Sequence, residues 1–314
     1  QRWSRNTAVR TSKMKYTLIF LGVVAVTLVA AVPYSEPIRD LHGAQVFRVT
    51  VDSNEAVESL IKLQKSTTLD FWTAPRLEGP VDIMALRGEI SMLEVILHEM
   101  DLKYEVQIPD VGELIAQQEH QRRETRTSKT GMDWTTYHEI DEINDWLESV
   151  AASYPDIASV SDVGTSYEGR TMKMLKLSTG GEGKRAVFSD GGIHAREWIA
   201  PAVVTYFIDQ FVKGNDEGLL DTVDFYFMPS INPDGYAYSF SDDRTWRKTR
   251  SPSAGSPCTG TDGNRNWDFH WMEGGASSNP CAPDYAGTEP FSEVEMRTVR
   301  DALLDTQPMV YLTF

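Results

Sequence analysis

The 314-residue chain has few cysteines, few histidines and a deficit of basic residues. Its two cysteines cannot build a disulfide-rich scaffold or a cysteine-based metal knuckle. Aspartate and glutamate number 46 against 30 lysines and arginines, which gives a formal net charge of −16. The electrostatic field of a net negative charge repels phosphate backbones, so nucleic acid is not an expected partner. The hydrophobic fraction of 41% still suffices for a real core and for two domains.

Long apolar runs are also scarce, and the one that occurs, residues 16–32, lies near the N-terminus and ends in small residues. Because it is shorter than a membrane-spanning helix needs and adjoins a small-residue cleavage signal, it predicts a secretory signal peptide over residues 14–31 and no membrane anchor. Residues 1–13 precede the first methionine and are interpreted as extraneous or upstream sequence. The mature protein is therefore expected to be secreted, soluble and extracellular.

Hydrophobic periodicity predicts two folded domains in the remaining chain. Residues 32–126 contain patterns in the order strand, helix, strands, helix, strand, which is typical of a small ferredoxin-like α+β sandwich. The polar stretch from Glu113 to Lys129 is interpreted as an exposed helix followed by a solvated linker. Residues 127–314 alternate apolar strands with helices, starting with a helix predicted over 134–152 that leaves His138 on the surface. This pattern indicates an α/β domain with a largely buried mixed sheet.

The candidate chemistry begins in the stretch SDGGIHAREWI, residues 189–199. His194 and Glu197 follow a Gly-Gly turn at the end of a predicted strand, where side chains can be aimed into a cleft. An imidazole nitrogen and a carboxylate oxygen are the ligand mixture that a catalytic zinc accepts. A second pair with the same spacing, His270 and Glu273, runs into a Gly- and Ser-rich segment and is interpreted as loop surface.

Further motifs follow the first pair in a defined order: NPDGY, RTWRKTR and GNRNWDFHW after HAREW. In this order and spacing the chain resembles the zinc metallocarboxypeptidases of the pancreatic A/B type, digestive exopeptidases that remove C-terminal residues. The resemblance extends from about residue 46 onward. It implies an α/β carboxypeptidase domain with a mixed sheet in residues 127–314. It also implies that residues 32–126, the ferredoxin-like sandwich and its linker, form an inhibitory activation domain.

The resemblance also implies roles for individual residues. One Zn²⁺ ion is expected at His194 and Glu197, with Asp262 as the acceptor for the ring N–H of His194. Arg247 is expected beside the scissile carbonyl, where a fixed cation stabilises the tetrahedral oxyanion of peptide hydrolysis. The expected substrate-binding residues, of which the last two hold the free C-terminal carboxylate of a peptide, are Arg247, Arg196, Arg244, Asn264 and Arg265.

Processing and completeness follow from the same resemblance. A disulfide is expected between Cys258 and Cys281, as an even pair in a secreted chain also favours. A trypsin-like protease is expected to release the activation domain at accessible basic residues, which are Arg122, Arg123, Arg126 and Lys129. The family's third zinc ligand, its catalytic glutamate and a mobile tyrosine match no position up to Phe314. The chain is therefore expected to be an incomplete zymogen that is inactive as it stands.

Two alternatives to a carboxypeptidase stay open at this point. A catalytically silent binding protein of the same fold would carry the same motifs, and the presence of the catalytic glutamate would discriminate. A secreted deacylase relative could use the same His-x-x-Glu site, but the activation segment and WRKTR favour the digestive branch.

Overall fold

The computed structural model of the protein describes residues 40–128, 131–215 and 218–314. The predicted signal peptide lies outside them. None of the helices in these segments combines the length and the apolar character that crossing a bilayer requires. The N-terminal sandwich, residues 40–110, consists of β1 (Gln45–Thr50), α1 (Asn54–Ser66), β2 (Asp70–Phe71), β3 (Pro80–Ala85), α2 (Ile90–Glu99) and β4 (Tyr104–Ile108).

The four strands of the sandwich form an antiparallel sheet in the order β2-β3-β1-β4. Both helices pack on one face, where Phe47 and Ile83 of the sheet meet Leu60 and Leu97 of the helices in a fully buried core. In the sequence, these core residues recur at every second position in the strands and at helical spacing in the helices, which is the pattern that predicted the elements. The ferredoxin-like prediction is confirmed.

Helix α3 (Val111–Ser128) corrects the prediction of a linker before Lys129, because it continues to Ser128. Its first turns pack Val111 against the second face of the sheet. Its later turns have little apolar character but carry ion pairs three and four residues apart, from Arg122 and Arg123 to Glu119. Such pairs support the exposed helix that was predicted here; only its continuation to Ser128 in place of a linker was not predicted.

The larger domain, residues 131–314, is built on a five-stranded sheet in the order β5-β6-β8-β7-β9. β6 is antiparallel to both of its neighbours, whereas β7 is parallel to β8 and β9. The mixed sheet in an α/β domain is therefore confirmed. Its elements are α4 (Ile140–Ser153), β5 (Ala158–Thr165), β6 (Thr171–Leu177), β7 (Arg185–Asp190), α5 (Ile199–Val212), β8 (Val223–Met228), α6 (Pro233–Ser241), α7 (Val294–Thr306) and β9 (Val310–Thr313).

Helices cover both faces of this sheet. Leu147 of α4 and Val204 of α5 pack against one face, and Val299 of α7 packs against the other. The parallel strands β7 and β8 have their carboxyl ends at the same edge, which is where ligands collect in sheets of this kind. The loop that carries His194 and the loop that carries the NPDGY motif both start there.

The start of α4 is a second correction. The helix was predicted from residue 134 but begins at Ile140, because Glu139 and Glu142 form a reciprocal capping box. His138 lies before the helix, and its side chain is 11% exposed, with Nε2 2.9 Å from the carbonyl oxygen of Asp133. The prediction of a surface position was wrong.

Candidate active site

The loop between β7 and α5 brings the first two site residues together. The chain turns at Gly192, whose φ of +70° lies in the left-handed region that favours glycine. After this turn, Nδ1 of His194 lies 3.0 Å from Oε1 of Glu197. Two ligand atoms at this separation can bind one zinc ion, since zinc binds nitrogen and oxygen at about 2.0–2.2 Å. The donor set therefore fits the ion that the spacing predicts.

Glu197 is ionised at neutral pH in this environment. Burial alone would raise the pKa of its carboxyl group, but His194, then Arg247 and Arg196, hold that pKa below its usual value. Within the described residues, no group of three or more His, Cys, Asp or Glu side chains is placed to hold a metal ion. His194 and Glu197 thus offer two protein donors.

Asp262 lies behind the metal pair and is completely buried. Its Oδ1 is 3.3 Å from Nε2 of His194, which is within ion-pair distance but lacks the alignment of a hydrogen bond. The same Oδ1 accepts a 3.0 Å hydrogen bond from the backbone N–H of Asn264. Burial would raise the pKa of Asp262, but Arg247 and then His194 hold it well below its usual value. A permanent negative charge therefore faces the ring nitrogen of His194 that points away from Glu197.

Arg247 joins this group from the RTWRKTR segment. Its guanidinium donates to Oδ2 of Asp262 at 2.9 and 3.1 Å, and Nη1 is 3.8 Å from Oε1 of Glu197. The cation is thus held between two carboxylates beside the metal pair. The structure gathers the four predicted residues His194, Glu197, Asp262 and Arg247 into one cluster.

Asn264 and Arg265 lie on a short 3-10 helix, Gly263–Arg265, that Asp262 caps. Asn264 is exposed, and the guanidinium of Arg265 donates to the carbonyl oxygens of Gly275 at 2.7 Å and Asn264 at 2.9 Å. Both residues therefore directly follow Asp262 in the chain, and Arg265 is bound to backbone oxygens. The other His-x-x-Glu pair, His270 and Glu273, is exposed as predicted.

Two family models match the chain: zinc carboxypeptidase over residues 143–314 and carboxypeptidase activation peptide over residues 47–118. The chain belongs to the zinc carboxypeptidase family. This membership implies Zn²⁺ as the metal and identifies the N-terminal sandwich as part of an activation peptide.

Relatives of known name agree with the two family matches. Carboxypeptidase B of Astacus astacus is 61% identical over 188 residues, which cover 58% of this chain and 62% of that protein. Carboxypeptidase A1 of Sus scrofa is 37% identical over 279 residues, covering 85% of this chain and 66% of that protein. The zinc carboxypeptidase chain thus spans less than two thirds of the length of these two relatives.

Solved structures show the same fold. The carboxypeptidase A from Helicoverpa armigera superposes with a TM-score of 0.81 at 26% identity, covering 87% of this chain and 69% of that one. Thrombin activatable fibrinolysis inhibitor superposes with a TM-score of 0.73 at 31% identity, covering 86% and 71%.

Two arginines of the larger domain, both predicted to bind substrate, contact residues of the activation peptide. Nη1 of Arg196 is 2.8 Å from Oδ2 of Asp70, and the two side chains are only 11% and 8% exposed. Arg244 donates to Oε1 of Gln118 at 3.1 Å and to the backbone oxygen of Arg196 at 2.8 Å, while it stacks on Trp198. Burial lowers the pKa of Arg244 to about 10. A cavity of about 410 Å³ remains between the two partners, and Glu197 lines it.

The predicted cleavage residues differ in accessibility. The side chain of Arg122 is 11% exposed and pairs with Glu119 and, across the interface, with Glu139 at 3.1 Å. Arg123 pairs with the same Glu119 but is 75% exposed. The side chain of Arg126 and all of Lys129 lie outside the described residues.

Cys258 and Cys281 form a disulfide, as predicted. Next to it, Nζ of Lys248 donates to the carbonyl oxygen of Pro280 at 2.8 Å, so the disulfide-linked loop is tied to the segment that carries Arg247.

Sequence reasoning missed two features of this site. The partnership of Asp70 with Arg196 joins residues 126 positions apart, and no local pattern announces it. Asn232, which connects two of the site loops, was visible only as the first letter of the NPDGY motif.

Proposed function

We propose that this protein is a secreted zinc carboxypeptidase that is made as a zymogen and releases C-terminal amino acids from peptides. The observation that carries the proposal is the convergence of His194 Nδ1 and Glu197 Oε1 in front of the buried pair formed by Asp262 and Arg247. This arrangement combines a metal-ligand pair, a fixed anion behind the histidine and a fixed cation beside it.

His194 and Glu197 would hold the zinc ion. Bound there, zinc supplies a Lewis acid that polarises the scissile carbonyl and lowers the pKa of water. Asp262 favours a proton on Nε2 of His194, which leaves the lone pair of Nδ1 for the metal. The buried aspartate thus sets the tautomer of the histidine ligand.

Arg247 would stabilise the oxyanion of the tetrahedral transition state. Its pairing with Asp262 holds the guanidinium in place before substrate arrives, so little reorganisation is needed as charge develops. Asn264 and Arg265 would bind the free carboxylate of the substrate, because a guanidinium fork and an amide donor match its two oxygens.

The activation peptide would inhibit by competing for the cleft. Arg196 and Arg244 cannot bind a peptide while Asp70 and Gln118 hold them. A trypsin-like protease that cuts in the C-terminal part of α3 would separate the activation peptide from the larger domain and release both arginines.

The test uses the full-length protein before and after trypsin treatment. We expect the treated protein to hydrolyse a blocked dipeptide with a free C-terminus but not its C-terminal amide, and we expect a chelator to abolish this activity and zinc to restore it. Equal hydrolysis of both substrates would show that the enzyme is not a carboxypeptidase. Stoichiometric zinc without hydrolysis of either would contradict the proposed activity.

A further inference from the structure

Asn232 occupies a completely buried position between β8 and α6. Its side-chain oxygen accepts a 3.0 Å hydrogen bond from the N–H of Gly235 and so caps α6. This is the ordinary task of an asparagine at a helix start. It uses only the oxygen of the amide and leaves both N–H donors for other partners.

Those two donors connect the loops that carry the reacting groups. Nδ2 of Asn232 donates to the carbonyl oxygen of Ile193 at 3.1 Å and to that of Lys248 at 3.1 Å. Ile193 directly precedes His194, and Lys248 directly follows Arg247. One amide group therefore holds the backbone beside the metal-ligand histidine and the backbone beside the cleft cation.

A backbone contact joins the same two loops. The N–H of Ala195 donates to the carbonyl oxygen of Arg247 at 3.0 Å. Together with the two bonds from Asn232, it fixes the register between the segments on either side of His194 and Arg247. Losing the Asn232 bonds would leave this contact as the only one of the three.

Gly235 makes room for the connection. A Cβ at this position would lie 2.5 Å from the carbonyl oxygen of Lys248 and 2.7 Å from both side-chain atoms of the Asn232 amide. A side chain here would push Lys248 away from Asn232. The close approach that the bridge needs is thus available only with glycine at residue 235.

We propose that Asn232 is a positioning residue, which holds His194 and Arg247 in fixed register for zinc binding and for oxyanion stabilisation. The inference rests on the proposed function and deepens it. Precise placement matters because small displacements of a metal ligand or a fixed cation cost large factors in affinity and rate.

The principal test is Asn232→Asp. The variant keeps the oxygen that caps α6 but replaces the bridging N–H donors with a carboxylate oxygen facing two carbonyl oxygens. We expect zinc affinity, measured by competition with a chelator, to fall about 10- to 100-fold, the range typical for residues that orient metal ligands. We expect kcat to fall with little change in KM, because Asn264 and Arg265, which would hold the substrate carboxylate, lie outside the two bridged loops.

Asn266→Asp is the matched control. Asn266 is also completely buried, its Nδ2 donates to the carbonyl oxygens of Ala286 and Glu289, and its oxygen accepts from a backbone N–H. It makes contacts of the same kind, with one further donation to Oγ of Ser292, and does not join the loops of His194 and Arg247. We expect a comparable loss of thermal stability with zinc affinity unchanged.

Two further variants keep the proposal falsifiable if Asn232→Asp does not fold. Asn232→Ser retains a capping oxygen without adding a charge, and Gly235→Ala retains the amide but wedges it from Lys248. Both should weaken zinc binding and lower kcat.

Equal loss of zinc affinity in the Asn232 and Asn266 variants, or unchanged zinc affinity and kcat in folded Asn232 variants, would overturn the proposal. Zinc affinity is measured without substrate, so a wild-type protein that binds zinc but lacks peptidase activity would refute the proposed function separately.

Discussion

The contact between Asp70 and Arg196 predicts how firmly the activation peptide stays bound after cleavage. We consider Asp70→Asn, which preserves the size of the side chain and an acceptor oxygen but removes its charge. In the wild-type protein the carboxylate oxygen lies 2.8 Å from Nη1 of Arg196, and neither side chain is more than 11% exposed. Because the site is buried, water cannot readily solvate the guanidinium in place of the carboxylate, and the cation remains buried opposite a neutral group.

The size of the effect follows from this burial. Hydrogen bonds to charged groups contribute about 1.5–3 kcal/mol, and an exposed ion pair would contribute less. Most changes in affinity appear in the dissociation rate. We therefore expect the severed activation peptide to leave the larger domain roughly 10- to 150-fold faster in the Asp70→Asn variant.

The assay follows loss of the severed peptide from trypsin-treated protein that is tethered through its larger domain to a biosensor. The matched control is Asp82→Asn, because Asp82 makes a two-bond pair with Arg48 at 2.8 Å inside the N-terminal sandwich and does not bind Arg196. Equal acceleration in both variants would mean that the sandwich is merely destabilised. An unchanged rate in the Asp70→Asn variant would refute the assignment of Asp70 as an anchor.

Three other predictions concern processing, substrate recognition and pH. In a timed tryptic digest, mass spectrometry should show cuts after Arg123 or later residues before any cut after Arg122, whose side chain is largely buried; an early cut after Arg122 would contradict this. Arg265→Ala should weaken binding of free-carboxylate substrates by about 1.5–3 kcal/mol and spare C-terminal amides, and equal losses on both would show that it is not the carboxylate anchor. Burial raises the pKa of Glu295 from 4.5 to about 7, so the folded state binds the extra proton and stability falls as pH rises through this interval. Glu295→Gln, whose amide oxygen can still accept from the N–H of Tyr167, should remove a pH-dependent loss of unfolding free energy on the order of 3 kcal/mol. Melting temperatures that change in parallel for both proteins between pH 5 and 8 would refute this.

Much of the fold was predictable because local patterns decide it. The strands and helices of the sandwich, from β1 to β4, occur in the predicted order. The metal pair was predictable for a similar reason, since three residues of spacing after a strand end place His194 and Glu197 within one loop. The family motifs then located Asp262 and Arg247, which spacing alone would not have joined to that pair.

The errors occurred where distant or polar contacts decide the structure. Helix α3 passes through the predicted linker because Arg122 is bound both within the helix and by Glu139 of the larger domain. The start of α4 is set by the carboxylate of Glu139, an uncommon capping residue that the apolar stripe does not reveal. In both cases side-chain hydrogen bonds and ion pairs determine where a helix begins or ends.

Under the proposed function, the same contacts would couple inhibition to substrate binding. A buried arginine needs an anionic or polar partner to offset its burial, and Arg196 and Arg244 have such partners in Asp70 and Gln118. The activation peptide therefore pairs the two guanidinium groups that could otherwise bind a ligand. Its removal leaves both groups without these partners. Arg247 differs, because Asp262 lies in the larger domain and keeps the guanidinium paired in either state. Cleavage should consequently free Arg196 and Arg244 for other partners while the cluster around His194 stays assembled.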